Sequence, residues 1–357
     1  MTNNLFPTTT VGSMPRPQYI KDLIENETNE IQQSQFQITM DKLIPFIIEM
    51  QEQAGIDIIS DGEWRRKSYI GIISDICSGF EMNIRTVNGE RQTWHTVTSE
   101  LVLKNPGQFA REASFIKKYS SHKIKVALPS PYLIAERMWD ETLSSSIYPT
   151  RKSFTEQLIP ILREELIALR DEGVEIAQFD DPHLCLFVDP KIRSQYQDPD
   201  KEVAYSIDVL NRIVEGIEGI KLALHLCRRN KGRSGWLGEG DYSPIMPYLN
   251  NLDIDMIMFE FAIPVAGDES VFLQLDERFD IGLGCVDCRD ETIDTPEQIV
   301  SRVEKAIKFV SPERITLHPD CGFAPGSAAD IPIDEAYRKI CNEVTASNML
   351  RDKYKSR

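Results

Sequence analysis

The stretch DIGLGCVDCRDETIDTPEQIVSRVEKAIKFVSPERITLHPDC, residues 280–321, contains one complete strand–helix–strand unit. Its two ends, 280–288 and 314–321, are short apolar runs of the kind that form buried strands. Between them, 295–310 carries apolar residues at the three-to-four-residue spacing of an amphipathic helix. That segment begins with TPEQ (295–298), which places Thr at the N-cap, Pro at the first helical position and Gln at the third. The stretch therefore predicts two strands joined by a helix.

The same order of strand and helix recurs along the whole chain. Short runs rich in Val, Ile and Leu, each ending in a small, polar or ligating residue, are found at 8–13, 56–63, 123–130, 175–181, 220–227, 255–262, 280–288 and 314–321. Alternating strands and helices favour parallel pairing, and eight such units close on themselves. We therefore predict an α/β protein with a (β/α)8 TIM-barrel fold, with a doubly wound open sheet as the structural alternative.

One segment does not fit a simple crossover. Residues 69–120 are too many for a single connection, and they include GFEMNIRTVNGERQTW (79–94), which is typical of a hairpin with an Asn-Gly turn. We expect this segment to be an insertion on the barrel rim, and we expect residues 1–357 to form one domain.

Composition and charge limit the functional classes. The 357 residues are 41% hydrophobic and 27% charged, with a formal net charge of -16. This charge repels phosphate backbones and anionic membrane surfaces, so we expect neither a nucleic-acid nor a membrane partner. The start of the chain, MTNNLFPTTT, lacks the basic and apolar regions of an export signal. We expect a cytoplasmic protein, and its seven cysteines are then expected to be reduced thiols or metal ligands.

Ligand-type side chains gather at the ends of three predicted strands. His225 and Cys227 form an H-x-C pair whose two-residue spacing points both side chains to one face of a strand. Glu260 ends the sixth run and Cys321 ends the eighth. In a closed barrel these ends meet at one mouth, where a nitrogen, two sulfurs and a carboxylate favour zinc. A buried histidine with inert thiols is the alternative for each residue taken singly.

The sequence also predicts positions in the barrel for Cys285, Cys288 and His318. Cys285 and Cys288 form a C-x-x-C pair, but no second pair exists to complete a zinc ribbon, and this pair closes a strand where a redox motif opens a helix. We expect Cys285 in the barrel interior and Cys288 at the mouth. His318 has the wrong phase to share a strand face with Cys321 and is expected to be structural.

The motifs together resemble the catalytic half of the cobalamin-independent methionine synthases. The resemblance runs in order along nearly the whole chain and rests on TTTVGSMPRP, DGE (61–63), QFDDP (178–182), HLC (225–227), the FEF around Glu260 and the stretch from GLGCVDC to HPDCGF. It implies a (β/α)8 barrel with zinc held by His225, Cys227, Glu260 and Cys321. It also implies a zinc-activated thiolate as nucleophile, with Glu260 either leaving the metal or staying as an added ligand when substrate binds.

The resemblance also implies a substrate site. Glu63 and Asp180 match the positions at which the family grips the amino group of homocysteine, and Gly12 and Ser13 match those whose backbone meets its carboxylate. The residues alone also permit a tight turn at 12–13 and carboxylates paired with Arg16, Arg65 or Arg66.

Two departures from the family pattern affect the chemistry. Arg289, which we expect to be catalytic together with Glu260, stands where full-length members place a histidine that serves as proton donor; arginine is a poor general acid and a good anion binder. Full-length members also carry an amino-terminal barrel that helps to hold a polyglutamylated folate, so the expected donor is either a methyl-corrinoid or a methyl-folate.

The resulting expectation is a zinc-dependent methyltransferase that converts homocysteine to methionine. The basic run RRNKGR (228–233) keeps open a second hypothesis, in which the enzyme alkylates another thiol such as coenzyme M with an epoxide. A third hypothesis is a non-catalytic zinc or thiol-binding relative, and a fourth is a metal-free barrel lyase or decarboxylase.

Overall fold

The structure, a computed structural model, describes residues 5–25, 30–87, 90–324 and 331–355. Its strands are β1 (Ile58–Ile59), β2 (Cys77–Val87), β3 (Glu90–Leu103), β4 (Lys123–Pro129), β5 (Ile176–Asp180), β6 (Lys221–Leu226), β7 (Met256–Glu260), β8 (Asp280–Val286) and β9 (Ile315–Pro319). Its α-helices are α1 (Gln18–Glu25), α2 (Glu30–Ala54), α3 (Ile73–Ile76), α4 (Gln108–Lys117), α5 (Pro131–Met138), α6 (Glu141–Ser144), α7 (Arg151–Glu172), α8 (Pro182–Leu186), α9 (Pro190–Arg193), α10 (Pro199–Val214), α11 (Met246–Leu249), α12 (Pro296–Ala306) and α13 (Ile333–Tyr354).

Seven strands form one curled parallel sheet in the order β1-β4-β5-β6-β7-β8-β9. The segment before β1 joins the two edges of this sheet. Thr8 pairs in parallel with Leu317 of β9, and Thr9 pairs in parallel with Ile58 of β1. The backbone bonds from Thr9 N to Leu317 O (3.0 Å) and from Ile58 N to Thr8 O (3.0 Å) complete the ring. The predicted barrel is confirmed, and all eight predicted runs lie in its wall.

The rim insertion is also confirmed. β2 and β3 form an antiparallel two-stranded sheet separate from the barrel, and α4 follows it before the chain enters β4. The predicted Asn88-Gly89 turn lies outside the described residues. The hairpin packs on α5 and α6, so it stands beside the loops that follow β4.

The helices start where the sequence supplies caps. At α12 the Thr295 side chain accepts from Gln298 N while the Gln298 side chain accepts from Thr295 N, which confirms the predicted capping box. α8 and α10 begin at the N-caps Asp181 and Asp198; the side chain of each accepts from the backbone N–H three residues later, and each is followed by Pro. These caps determine where the loops at the barrel mouth end and where the helices begin.

Apolar packing fills the lower part of the barrel interior. The inward side chains Ile58, Ile176, Ala223, Met256 and Met258 form a buried cluster of their own. The two-residue period of each strand continues this inward face toward polar residues at the carboxyl ends. None of the helices in the described ranges is long and apolar enough to span a membrane.

Candidate metal and substrate site

His225, Cys227 and Cys321 meet at the carboxyl ends of β6 and β9. One ligand atom from each lies within 4.8 Å of the others, and all three residues are buried. His225 points inward from β6 and Cys227 comes two residues later, as the H-x-C spacing predicts. Cys321 arrives from the turn after β9. The structure therefore brings three of the four predicted metal ligands together.

The side chain of His225 has the free nitrogens and the neutral charge that a metal ligand requires. Within the described part of the chain, neither its Nδ1 nor its Nε2 has a hydrogen-bond partner, although both atoms are buried. Such orphaned polar atoms are rare in folded proteins. Burial first, and the nearby His318 second, lower the pKa of His225 well below its ordinary value, so the imidazole is neutral. A neutral ring with a free nitrogen, beside two thiols, is a donor set suited to zinc.

The Cys321 turn packs directly against Ser13. A Cβ placed on Gly322 would lie 2.2 Å from Ser13 Oγ, so this contact requires a residue without a side chain. Phe323 N donates to Ser13 O over 2.9 Å. The neighbouring Cys227 thiol first, and burial second, raise the pKa of the Cys321 thiol, and the two sulfurs lie within 4.8 Å of each other. The predicted substrate residue Ser13 thus adjoins the candidate metal group.

Glu260 stands apart from the three-residue group and is engaged by arginines. Its Oε2 accepts from Arg228 N at 2.8 Å and lies 3.5 Å from Arg228 Nη1. Its Oε1 is ion-paired with Arg289 Nη2. Glu260 and Arg228 are completely buried. The structure places the predicted fourth ligand at the mouth, held by the predicted catalytic residue Arg289.

Asp320 is part of this arrangement and was missed by the sequence interpretation. It accepts the backbone N–H of Phe261 (3.0 Å) and of Ala262 (2.9 Å), directly after Glu260. Its Oδ2 also lies 3.5 Å from Arg289 Nη1. Asp320 therefore fixes the exit of β7 and shares Arg289 with Glu260. The one indication of this role in the sequence was that Asp320 directly precedes the candidate ligand Cys321.

Glu63 faces the same mouth from the turn after β1. A Cβ added to Gly12 would lie 2.4 Å from Glu63 Oε1, so Gly12 allows this carboxylate its position. Glu63 has a φ of 57°, an uncommon backbone conformation for a residue with a side chain. Burial raises the pKa of Glu63, and the positive charge of Arg66 partly offsets this. These features are typical of a positioned functional carboxylate.

The arginines considered as structural partners of Glu63 are mostly engaged elsewhere. Arg65 pairs with Asp41, and Arg16 bonds the main-chain oxygen of Glu63. Arg66 binds Glu112 at 2.6 Å and lies 3.7 Å from Glu63. The carboxylate of Glu63 is thus only loosely paired.

Asp180 ends β5 beside His225, its register partner on β6. Its Oδ1 accepts from Gln178 Nε2 at 2.7 Å, and Gln178 Oε1 accepts from Lys125 Nζ at 2.5 Å. Burial first and the negative charge of Glu63 second raise the pKa of Asp180 to about 7. Two buried carboxyls with raised pKa values, Asp180 and Glu63, form a site that a cation stabilises. The buried Lys125, a charged residue within the apolar run KIKVALPS, was not recognised from the sequence.

We predict that Asp180→Asn stabilises the unliganded protein at alkaline pH. The pKa of Asp180 is raised from 3.8 to about 7, so the stabilising contribution of its proton is present below pH 4 and lost as pH rises through 7. The asparagine cannot ionise and still accepts from Gln178. Its advantage in free energy of unfolding should grow by on the order of 2 kcal/mol between pH 5 and pH 8. Urea unfolding of both proteins at the two pH values measures this, and a constant difference contradicts it.

Cys285, Cys288 and His318 lie near the candidate metal group without joining it. Cys285 is buried with its Sγ 3.8 Å from His318 O. Cys288 is buried, Asn230 Nδ2 lies 3.5 Å from its Sγ, and burial raises its pKa to about 12. His318 Nδ1 lies 2.6 Å from Pro319 O, and its ring centroid is 6.1 Å from that of His225. His318 thus packs beside the candidate ligand His225. The position of His318 along its strand did not predict this contact.

Proteins of known family match this chain over nearly its whole length. Residues 6–347 match the family model described as the catalytic domain of cobalamin-independent synthase. The methionine synthase of Sulfurisphaera tokodaii is 26% identical over 362 residues, covering 99% of this chain and 95% of the relative. That of Sulfolobus acidocaldarius is 25% identical over 357 residues, covering 99% and 94%.

Solved structures agree with the fold. A B12-independent methionine synthase from Shewanella sp. W3-18-1, in complex with selenomethionine, superposes with a TM-score of 0.81 at 23% identity, covering 99% of this chain and 100% of that one. A putative vitamin-B12 independent methionine synthase from Listeria monocytogenes gives a TM-score of 0.70 at 20% identity, with 96% of each chain covered. Since the family model spans nearly the entire sequence, this chain belongs to the cobalamin-independent methionine synthase family.

Proposed function

We propose that this methyltransferase-family chain transfers a methyl group to the thiol of homocysteine, forming methionine, and that it depends on zinc. The observation that carries the proposal is the buried group of His225, Cys227 and Cys321, in which the imidazole nitrogens are orphaned. The curated relatives that cover almost the whole chain bear the name methionine synthase. The Shewanella protein was solved with selenomethionine, an amino acid with a methylated chalcogen.

His225, Cys227 and Cys321 would hold the metal, and Glu260 is proposed as the fourth ligand. Bound zinc supplies the Lewis acidity that keeps a substrate thiol deprotonated near neutral pH. For Glu260 to serve, its carboxylate must turn from the arginines that now hold it, Arg228 and Arg289. Each arginine would still have another partner after this turn. Arg228 donates to the Tyr242 hydroxyl, and Arg289 pairs with Asp320.

Glu63 and Asp180 are proposed to bind the ammonium group of homocysteine. Both carboxyls are buried and have raised pKa values in the unliganded protein, so a cation between them favours their ionised forms. Gly12 and Ser13 are proposed to bind the carboxylate through their backbone. Because Ser13 contacts Gly322, next to Cys321, this places the amino-acid end close to the thiolate ligands. The arrangement orients the substrate sulfur toward the metal group.

Arg289 is proposed as a positioning residue for Glu260. It is buried and lies between Glu260 and Asp320. A guanidinium does not give up its proton at neutral pH, so Arg289 does not serve as a general acid. It stabilises negative charge on Glu260.

A thiol panel tests the proposed function. Metal-loaded and metal-stripped protein are supplied with homocysteine, coenzyme M or cysteine, and with methyl-corrinoid or methyl-folate donors. Methylation of homocysteine by the loaded protein alone supports the proposal. Unchanged thiol methylation after complete removal of the metal rejects zinc dependence. Turnover with coenzyme M but not with homocysteine would reject homocysteine as the substrate and support alkylation of another thiol.

We predict that Gly12→Ala weakens homocysteine binding without affecting metal content. The new methyl group would stand 2.4 Å from Glu63 Oε1, so the carboxylate must move. Misplacing one buried charged partner should raise the KM for homocysteine by about 10-fold or more. Zinc analysis and steady-state kinetics measure the two effects. Gly216→Ala is a control, since no atom lies within 4 Å of that Cβ although its φ is positive. An unchanged KM in Gly12→Ala contradicts the role of this contact.

We further propose that residues 1–357 act as one domain in the cytoplasm. Both ends of the described chain are tied together, since Ser347 Oγ donates to Phe6 O at 2.6 Å and Arg351 pairs with Asp57 at 2.5 Å. These contacts join α13 to the strand region that closes the barrel.

A further inference from the structure

A buried lysine lies in the barrel interior below the proposed ammonium site. Lys125 is only 1% exposed, although it stands in the otherwise apolar strand β4. Its register partner on β5 is Ile176, whose side chain belongs to the apolar cluster of the lower barrel. A buried cation destabilises a fold unless it is paired or hydrogen-bonded. The contacts of Lys125 therefore indicate what offsets this cost.

Lys125 is connected to Asp180 through a single side-chain amide. Lys125 Nζ donates to Gln178 Oε1 over 2.5 Å, and Gln178 Nε2 donates to Asp180 Oδ1 over 2.7 Å. Gln178 is completely buried and precedes Asp180 by two residues on β5, so the two side chains lie on the same face of the strand. The three side chains form one continuous hydrogen-bonded relay, from the lower barrel to the mouth.

The ammonium group of Lys125 fixes the direction of both hydrogen bonds. An ammonium group has only donors, whereas an amide has an acceptor at its oxygen and donors at its nitrogen. Gln178 must therefore turn its oxygen to Lys125 and its NH2 group to Asp180. A donor at this position favours the ionised form of the carboxyl group. Without the lysine, the amide is free to turn over and present its oxygen to Asp180, which favours a protonated carboxyl.

The charges at the two ends of the relay support each other. Burial lowers the pKa of Lys125, and the negative charge of Asp180 opposes this effect. Burial and the charge of Glu63 raise the pKa of Asp180, whereas the hydrogen bond from Gln178 and the charge of Lys125 lower it. The state in which Lys125 is charged is thus also the state in which Asp180 can bind a cation.

We propose that Lys125 is a positioning residue for the amino group of the substrate. Through Gln178 it holds Asp180 Oδ1 as an acceptor, and within the described part of the chain no donor reaches Oδ2. The carboxylate is therefore restrained at one oxygen and available to an ammonium group at the other. This inference rests on the proposed function, since it concerns the ammonium site of the same mouth.

Lys125→Met and Gln178→Met test the relay in the zinc-loaded protein. Methionine is close in length to both side chains and has no N–H donor. Calorimetric titration compares homocysteine with 4-mercaptobutyrate, which has the same thiol and carboxylate but no amino group. Each variant should bind homocysteine about 10-fold more weakly and should bind 4-mercaptobutyrate as before. A purely structural role for Lys125 predicts equal losses for the two ligands.

A double variant and a matched control distinguish a relay from two separate effects. If Lys125 acts only through Gln178, combining the two Met substitutions should weaken homocysteine binding by no more than the larger single loss. Lys123→Met removes a lysine of the same strand whose Nζ pairs with Glu175 at 2.6 Å on the surface, and it should leave the affinity for both ligands unchanged. Zinc content should stay unchanged in every variant.

Three results would overturn the relay while the proposed function stands. The first is a preference for homocysteine over 4-mercaptobutyrate that survives both Met substitutions. The second is additive losses in the double variant. The third is tighter homocysteine binding by Lys125→Met, which is the result expected if the lysine only repels the ammonium group of the ligand.

A second amino thiol distinguishes failure of the proposed function. If the unmodified protein prefers cysteine to 3-mercaptopropionate but shows no such preference for homocysteine, and Lys125→Met removes the preference, the relay is supported and homocysteine is rejected as the substrate. If neither thiol shows a preference for the amino group, both the relay and the ammonium site are wrong.

Discussion

Cys321→Ser is expected to remove most of the bound zinc and to lower methyl transfer to homocysteine by at least ~100-fold. Substituting a residue that hydrogen-bonds to a metal ligand already reduces metal affinity or activity by about 10- to 100-fold. Cys321→Ser removes a ligand itself. A serine hydroxyl stays protonated near neutral pH, whereas a thiol is readily deprotonated by a bound metal. Cys321 is buried with its Sγ within 4.8 Å of Cys227 Sγ, so no water-exposed group can take its place without rearrangement. Elemental analysis and single-turnover assays measure the two losses.

Cys288→Ser is the matched control for this prediction. Cys288 is also buried at the mouth and lies within a few residues of the β8 exit, but it is outside the metal group found among the described residues. Its substitution should retain about one zinc per chain. If both serine variants keep the metal and the activity, the ligand assignment is wrong. If only Cys288→Ser loses the metal, Cys288 takes the place of Cys321 as a ligand, and the assignment of Cys321 is wrong.

Glu63→Gln and Asp180→Asn are each expected to weaken homocysteine binding by about 10- to 100-fold. A hydrogen bond to a charged group contributes ~1.5–3 kcal/mol, which corresponds to that range. Both carboxyls are buried, and Glu63 pairs with Arg66 only at a long distance of 3.7 Å. The amide variants keep the side-chain shape, and the amide oxygen introduced by Asp180→Asn can accept from Gln178. Calorimetric titration of the zinc-loaded proteins measures the change.

A ligand without the amino group provides the control for this pair. The two variants should bind 4-mercaptobutyrate, which retains the thiol and the carboxylate of homocysteine, as well as the unmodified protein does. Equal losses for both ligands contradict an ammonium site and indicate a general disturbance of the mouth. For the unmodified protein, affinity for homocysteine should increase as pH rises through about 7, because Asp180 ionises there.

The barrel and the metal group were accessible from the sequence for a clear physical reason. Parallel strands buried on both faces appear in the sequence as apolar runs, and their carboxyl ends must meet at one edge. Residues such as His225 and Cys321 are therefore marked by their place at the end of a run. The capping box at Thr295 was equally accessible, because it depends only on residues three apart.

Other parts of the site depend on contacts that sequence spacing does not encode. Whether Glu260 faces the metal group or its arginines is decided by Arg228 and Arg289, which come from different strand ends. Trp94 of the hairpin packs on Arg137 of α5, although the two residues are 43 positions apart in the sequence. Such pairs arise only when the insertion folds over the mouth, so local patterns carry no signal for them.

Zinc X-ray absorption of the metal-loaded protein, recorded before and after addition of homocysteine, is the decisive test of the proposed metal site. We predict a first shell that contains two sulfurs, from Cys227 and Cys321, in the free protein. Homocysteine should add one further Zn–S contact, and Glu63→Gln should require a higher homocysteine concentration for the same change. A first shell without cysteine sulfur, or one that no thiol alters, would contradict a zinc-activated thiolate at this site.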